Sequence, residues 1–117
     1  MNEQHVRLAR TTLIIALAGV FLYFGIDKFL QPLVWIGWIP QWMDGLMLPN
    51  STWLRVFGAV EIVLGAMLLV PHAMLRKLAC SVIILHLIAV LTQVGINDIG
   101  VRDAGLTLAA VSLWLLL

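Results

Sequence analysis

The chain has 117 residues, 62% hydrophobic and 11% charged, with a mean hydropathy of +1.05 and a formal net charge of +1. A water-soluble domain carries roughly twice that charged fraction, so the composition is that of a membrane protein. The near-neutral balance and the lack of a basic cluster exclude a nucleic-acid partner. The single cysteine, Cys80, excludes an intrachain disulfide, a Cys-x-x-Cys redox pair and a thiolate-bound iron–sulfur cluster within one copy.

The first apolar span covers residues 11–30. Arg7 and Arg10 precede it as in a secretory leader, but the stretch is too long for a leader's apolar core. Ala16-Leu17-Ala18, the one small-residue site, follows too few apolar residues. The segment therefore reads as a retained signal-anchor helix. The connection after it, Gln31 to Thr52, is the longest and is not polar. Trp35, Trp38 and Trp42 lie in a run too short to span and too aromatic for water, which predicts an interfacial or re-entrant segment, with Trp53 joining the belt. This segment either anchors and caps the helices or forms a lid over a lipid or quinone entrance.

The second span covers residues 53–70 and carries Glu61 at its middle, about 12 Å below the outer end. An ionisable group at that depth is costly unless it faces other helices, so it marks a functional site or a packed polar pair. Gly58 and Gly65 share its helical face and let another helix come close. Pro71-His72 ends this span. The third, residues 76–96, places His86 and Gln93 on one face with Ala79 and Ala89 nearby. His86 lies about 15 Å below the outer surface, near the depth of Glu61. The two are expected to face each other, either as a buried pair that fixes helix register or as a site that handles protons and binds quinone. Asn97-Asp98-Ile99-Gly100 separates the fourth span, residues 102–117, which can cross only if nearly upright. Its stripe of Gly105, Ala109 and Ser112 is expected to pack on a helix of this chain or of a second copy.

These elements predict an all-α integral membrane protein: one domain over residues 1–117, an antiparallel four-helix transmembrane bundle with the tryptophan-rich interfacial segment between its first two helices. Arg7, Arg10, Arg76 and Lys77 lie on one side, so the positive-inside rule puts both termini in the cytoplasm of a multi-pass protein. At the opposite ends of the helices stand Asp27, Lys28, Arg55, Asp98, Arg102 and Asp103. Three cations and three anions there would nearly neutralise one another, as a half-buried network requires. Arg55 lies about a third of a turn off the face of Glu61, so Lys28 or Arg102 is at least as plausible a partner for that carboxylate.

Several chemistries drop out. His72 sits at the rim and His5 precedes the first span, so one chain cannot supply both ligands of a bis-histidine haem, although a dimer using His86 twice could. No three-ligand metal spacing and no glycine-rich phosphate loop occurs, so no metal site is expected. Cys80 lies in an apolar stretch and reads as a small packing residue.

Gly25-x-x-Lys28-Phe29, Arg55-x-x-Gly58-x-x-Glu61-x-x-x-Gly65 and Arg102-Asp103-x-Gly105-Leu106 together resemble the DoxX family of small bacterial and archaeal membrane proteins. The resemblance covers nearly the whole chain and the four-helix layout. It implies a place in the prokaryotic cytoplasmic (inner) membrane, a link to membrane oxidoreductase complexes and oxidative-stress defence, and functional roles for Lys28, Arg55, Glu61, Arg102 and Asp103. His86, Gln93 and the tryptophans belong to no motif of that family and rest on depth and face alone. The combined expectation is an accessory or quinone-interacting subunit of a membrane redox system. Glu61 and His86 would handle protons, and Gln93, Trp35, Trp38 and Trp42 would contact quinone or lipid. Gly25, Gly58, Gly65 and Gly105 would pack helices. With no electron carrier of its own, such a protein would borrow a quinone or the cofactor of an oxidoreductase partner. The alternative is a non-catalytic scaffold or assembly factor that binds another membrane protein or a second copy of itself in the bilayer.

Overall fold

The computed structural model describes residues 2–117, and those residues form five α-helices and two short 3-10 turns. Helix α1, Glu3–Leu30, begins where the Asn2 side chain accepts the His5 N–H at 2.8 Å. Glu3 in its first turn and Lys28 in its last complement the helix dipole. This cap lets the helix start well before the apolar span at residue 11, because the polar residues between are compatible with helix. Pro32 ends α1 and opens the single turn α2, Pro32–Trp35, since proline suits a first helical position but not an interior. The 3-10 turns Ile36–Trp38 and Gln41–Met43 follow, separated by Pro40, and the chain reaches α3, Asn50–Leu69, through Pro49. Helix α4, Ala73–Val94, is capped by His72 Nδ1, which accepts the Leu75 N–H, and ends at Gly95 in the left-handed region (φ 74°). Helix α5, Asp98–Leu116, is capped by the Asn97 side chain, which accepts the Gly100 N–H at 2.9 Å.

Among the described residues, α1, α3, α4 and α5 are long and apolar enough to cross a membrane. Their cores meet in one cluster that includes Leu17, Phe21, Leu68, Ile83 and Leu113, all almost wholly buried. Cys80 belongs to this cluster, and its Sγ donates to the Ala110 carbonyl at 3.0 Å. Helix α1 packs most extensively on α3, and α4 on α5. Arg10 Nε donates to the Leu116 carbonyl and Arg76 Nε to the Leu68 carbonyl, so cations cap the open ends of α5 and α3.

Three of the four glycines expected at helix contacts are there. A Cβ at Gly25 would fall 2.7 Å from the Gly58 carbonyl oxygen, and one at Gly58 would fall 2.9 Å from that of Gly25. Gly65 presses on Leu22 and on the Ala18 carbonyl. Gly105 meets no helix of this chain: it is exposed, with no atom within 4 Å of where its Cβ would stand, and Ser112 is exposed too, so of the two expected partners only a second copy would meet that stripe. The packed face of α5 is instead Gly100, Asp103, Ala110 and Leu113. A row of small residues reads the same whether it meets a helix or faces outward, and here the large residues Leu106 and Leu113 decide the rotation. Gly105→Ala should therefore raise stability by up to about 1 kcal/mol through helix propensity alone. Thermal unfolding in detergent checks this, and a clear loss of stability would instead put a second copy or a partner on that face.

Candidate functional site

On α3, Trp53, Phe57 and Glu61 recur every four residues and point to one side. On α1, Phe21, Phe24 and Lys28 keep helical spacing and face them. His86 and Gln93 come from α4, and Arg102 and Asp103 from α5. Together with Trp35, Trp38 and Trp42 these side chains line a cavity of about 570 Å³, its wall mainly aromatic and aliphatic. A cavity of this kind, apolar with a few convergent polar groups, is the usual form of a small-molecule site.

Glu61 lies at its inner end and is only 7% exposed. Lys28 Nζ stands 2.6 Å from its Oε1, and the approach is an ionic contact off the hydrogen-bond directions. The side chains of the two are 12% and 10% exposed, so the pair is largely withdrawn from solvent, Glu61 buried and Lys28 partly so. His86 Nε2 is 3.9 Å from Glu61 Oε2, beyond hydrogen-bond reach, and its ring meets Phe21 edge to face. Glu61 and His86 thus stand close together at one depth, and Lys28 is the cation that reaches the carboxylate.

The roof is tied to this centre. Lys28 Nζ sits 4.2 Å over the Trp35 ring, whose Nε1 donates to Asp27 Oδ2 at 2.9 Å. Phe24 packs edge to face on Trp35, and the Arg102 guanidinium covers the Phe24 ring. Trp42 Nε1 donates to Gln93 Oε1 at 3.3 Å, joining the tryptophan segment to α4.

The six-member charge network resolves into separate units. Arg102 pairs with buried Asp103 at 3.0 Å, Lys28 with Glu61, and Asp27 with the side chains of Gln31 and Trp35. Arg55 and Asp98 are exposed and make no ion pair among the described residues. Arg55 faces away because six helical residues carry it about 120° off the Glu61 face. The sequence puts Trp53 only in the belt, whereas the structure turns it inward onto a stack with Phe57 (ring centroids 6.3 Å, 26°). The four-residue spacing of Trp53, Phe57 and Glu61 was the signal for it.

These features define an all-helical protein with four helices of membrane-crossing length, gathered round an aromatic cavity with a buried ion pair at its inner end. The chain belongs to the family described as Domain of unknown function (DUF8561), whose model matches residues 17–99. The match takes in Lys28, Glu61, His86 and Gln93, and stops short of Arg102 and Asp103. No curated protein and no solved structure matches the chain.

Proposed function

We propose that this is a DoxX-like, antiparallel four-helix protein of the prokaryotic inner membrane that serves a membrane redox system as a quinone-interacting or accessory subunit. Insertion is supported by the outward leucines, among them Leu85, Leu108 and Leu115 at 67%, 69% and 72% exposure, which suit lipid and not water. The capping of Leu116 by Arg10 supports the antiparallel order, and the basic end formed by Arg10, Arg76 and Lys77 supports cytoplasmic termini.

One observation carries the functional reading: the Lys28–Glu61 pair and His86 converge at the inner end of an aromatic cavity large enough for a ring. Intramembrane ionisable groups of this kind mark proton or ligand paths. A quinone in the cavity would supply the redox chemistry, accepting two electrons from a partner subunit's cofactor and two protons. Glu61 and His86 would hold and pass a proton near its oxygen, and Lys28 would balance the carboxylate's charge. The aromatic walls would exclude water, and Trp35, Trp38 and Trp42 would cover the ring. The residues fit an uncharged ring better than an anion, because Lys28 and Arg102 already face Glu61 and Asp103.

Native mass spectrometry of the gently extracted protein tests this. A retained quinone or redox subunit is expected, and the quinone should be lost from the charge-neutral double variant Lys28→Met, Glu61→Gln. A bare homo-oligomer carrying only phospholipid would overturn the reading. It would favour a scaffold, for which the unpacked Gly105 and Ser112 face of α5 offers a docking surface.

A further inference from the structure

Asp103 brings a second carboxylate into the cavity, and the proton site makes no use of it. The residue is only 4% exposed and lines the cavity from α5. Arg102 grips one of its oxygens twice: Nε donates to Oδ1 at 3.1 Å, and Nη2 stands 3.0 Å from the same atom. Oδ2 has no hydrogen-bond partner among the described residues. The unpaired polar side-chain atoms that are sealed even against water are Trp53 Nε1 and Glu61 Oε1. Asp103 Oδ2 and Glu61 Oε2 are therefore unpaired yet open, and the space beside both residues is the cavity. Asp103 is also near enough to His86 for its charge to act there, as those of Glu61 and Lys28 do, so the two carboxylates belong to one site.

Each carboxylate has a cation on its other oxygen, Arg102 on Asp103 Oδ1 and Lys28 on Glu61 Oε1. As the ionised partner of that cation, its free oxygen can only accept a hydrogen bond. The cations are engaged further, Lys28 over the Trp35 ring and Arg102 over Phe24. A quinone also carries oxygens that only accept. It can take a donor from His86 or Gln93, but it meets Asp103 Oδ2 acceptor against acceptor and leaves that atom unpaired, which is costly in a buried place. The reduced ring carries hydroxyl groups instead, and a hydroxyl donates as well as accepts.

We propose that Asp103 is a specificity-determining residue of the cavity: its Oδ2 accepts a hydroxyl of the reduced, quinol form of the ring, so that the site holds the quinol more tightly than the quinone. This rests on the quinone reading above and adds to it the redox form that the site selects. Asp103 makes this choice by accepting, and Arg102 serves by holding Oδ1 so that Oδ2 faces the ring.

Anaerobic calorimetric titration of the full-length protein in detergent tests this with two probes of one size, a decyl-tailed para-benzoquinone and its quinol. The natural protein should bind the quinol about tenfold to a hundredfold more tightly, the worth of one hydrogen bond to a charged group. In Asp103→Asn, Arg102 keeps its hold on the amide oxygen, and the N–H2 takes the place of Oδ2, turning the acceptor into a donor. The quinol should then weaken by about that factor while the quinone does not, so the preference disappears or inverts. The ratio in the natural protein decides the matter should Asp103→Asn lose its cooperative unfolding. A natural protein that holds both forms equally, or a variant that keeps the quinol preference or weakens both forms alike, overturns the inference while the quinone reading stands. If neither form binds the natural protein, the quinone reading falls and this inference falls with it.

Discussion

Replacing Glu61 by leucine should lower the unfolding free energy by about 3–5 kcal/mol, because it strands the Lys28 ammonium in a site that is no longer balanced. Both side chains are about nine-tenths withdrawn from solvent, so the small value typical of exposed ion pairs does not apply. Trp35 under the ammonium softens the loss only in part, since a cation–π contact is worth about 0.5–2 kcal/mol. Lys28→Met should also destabilise. The double variant Lys28→Met, Glu61→Leu should recover most of the loss, because apolar replacement of a whole buried pair is often neutral or stabilising. Unfolding in mixed detergent measures all four proteins as one double-mutant cycle. A Glu61→Leu protein as stable as the parent would mean that the two groups are not paired within the folded chain. If the cycle closes as expected, the pair is dispensable for stability, and its presence in mid-helix calls for a functional reason.

Counting residues along helices was enough to set Glu61 and His86 at one height, where they stand 3.9 Å apart, because height in a long helix is a linear function of position. The four long helices were legible for the same reason: length and hydropathy alone define them. Their starts were less so. Asn2, Pro49, His72 and Asn97 set them, single residues at which the backbone turns into the helix and which an average over hydropathy does not register. Which cation meets Glu61 was not legible from depth, since Lys28, Arg55 and Arg102 all stand near helix ends. Lateral proximity decides it, and that comes from the Gly25–Gly58 contact, which draws α1 onto α3 and brings Lys28 over the Glu61 face. Gly105 shows the converse. A small residue permits close approach without requiring it, so its direction depends on what the rest of the helix buries.

Gly25→Ala should be among the most damaging single-methyl changes, at about 1–3 kcal/mol of stability. The added Cβ would meet the Gly58 carbonyl oxygen at 2.7 Å and the Ile62 nitrogen at 3.0 Å, both backbone atoms of a rigid helix. Neither can swing aside, so α1 and α3 must part. Gly65→Ala should cost less, because its closest neighbour is the side chain of Leu22, which can change rotamer. The same methyl at Gly105 meets open space. Thermal unfolding of the three variants should therefore rank Gly25 below Gly65 and Gly65 below Gly105. Binding adds a second readout, for Lys28 lies three residues beyond Gly25 on the same helix. Parting the helices should lengthen the Lys28–Glu61 contact and weaken any ligand held at the inner end of the cavity. A Gly25→Ala protein that unfolds like the parent and keeps its ligand would show that α1 and α3 do not approach this closely. The pairing of Lys28 with Glu61 would then need another cause.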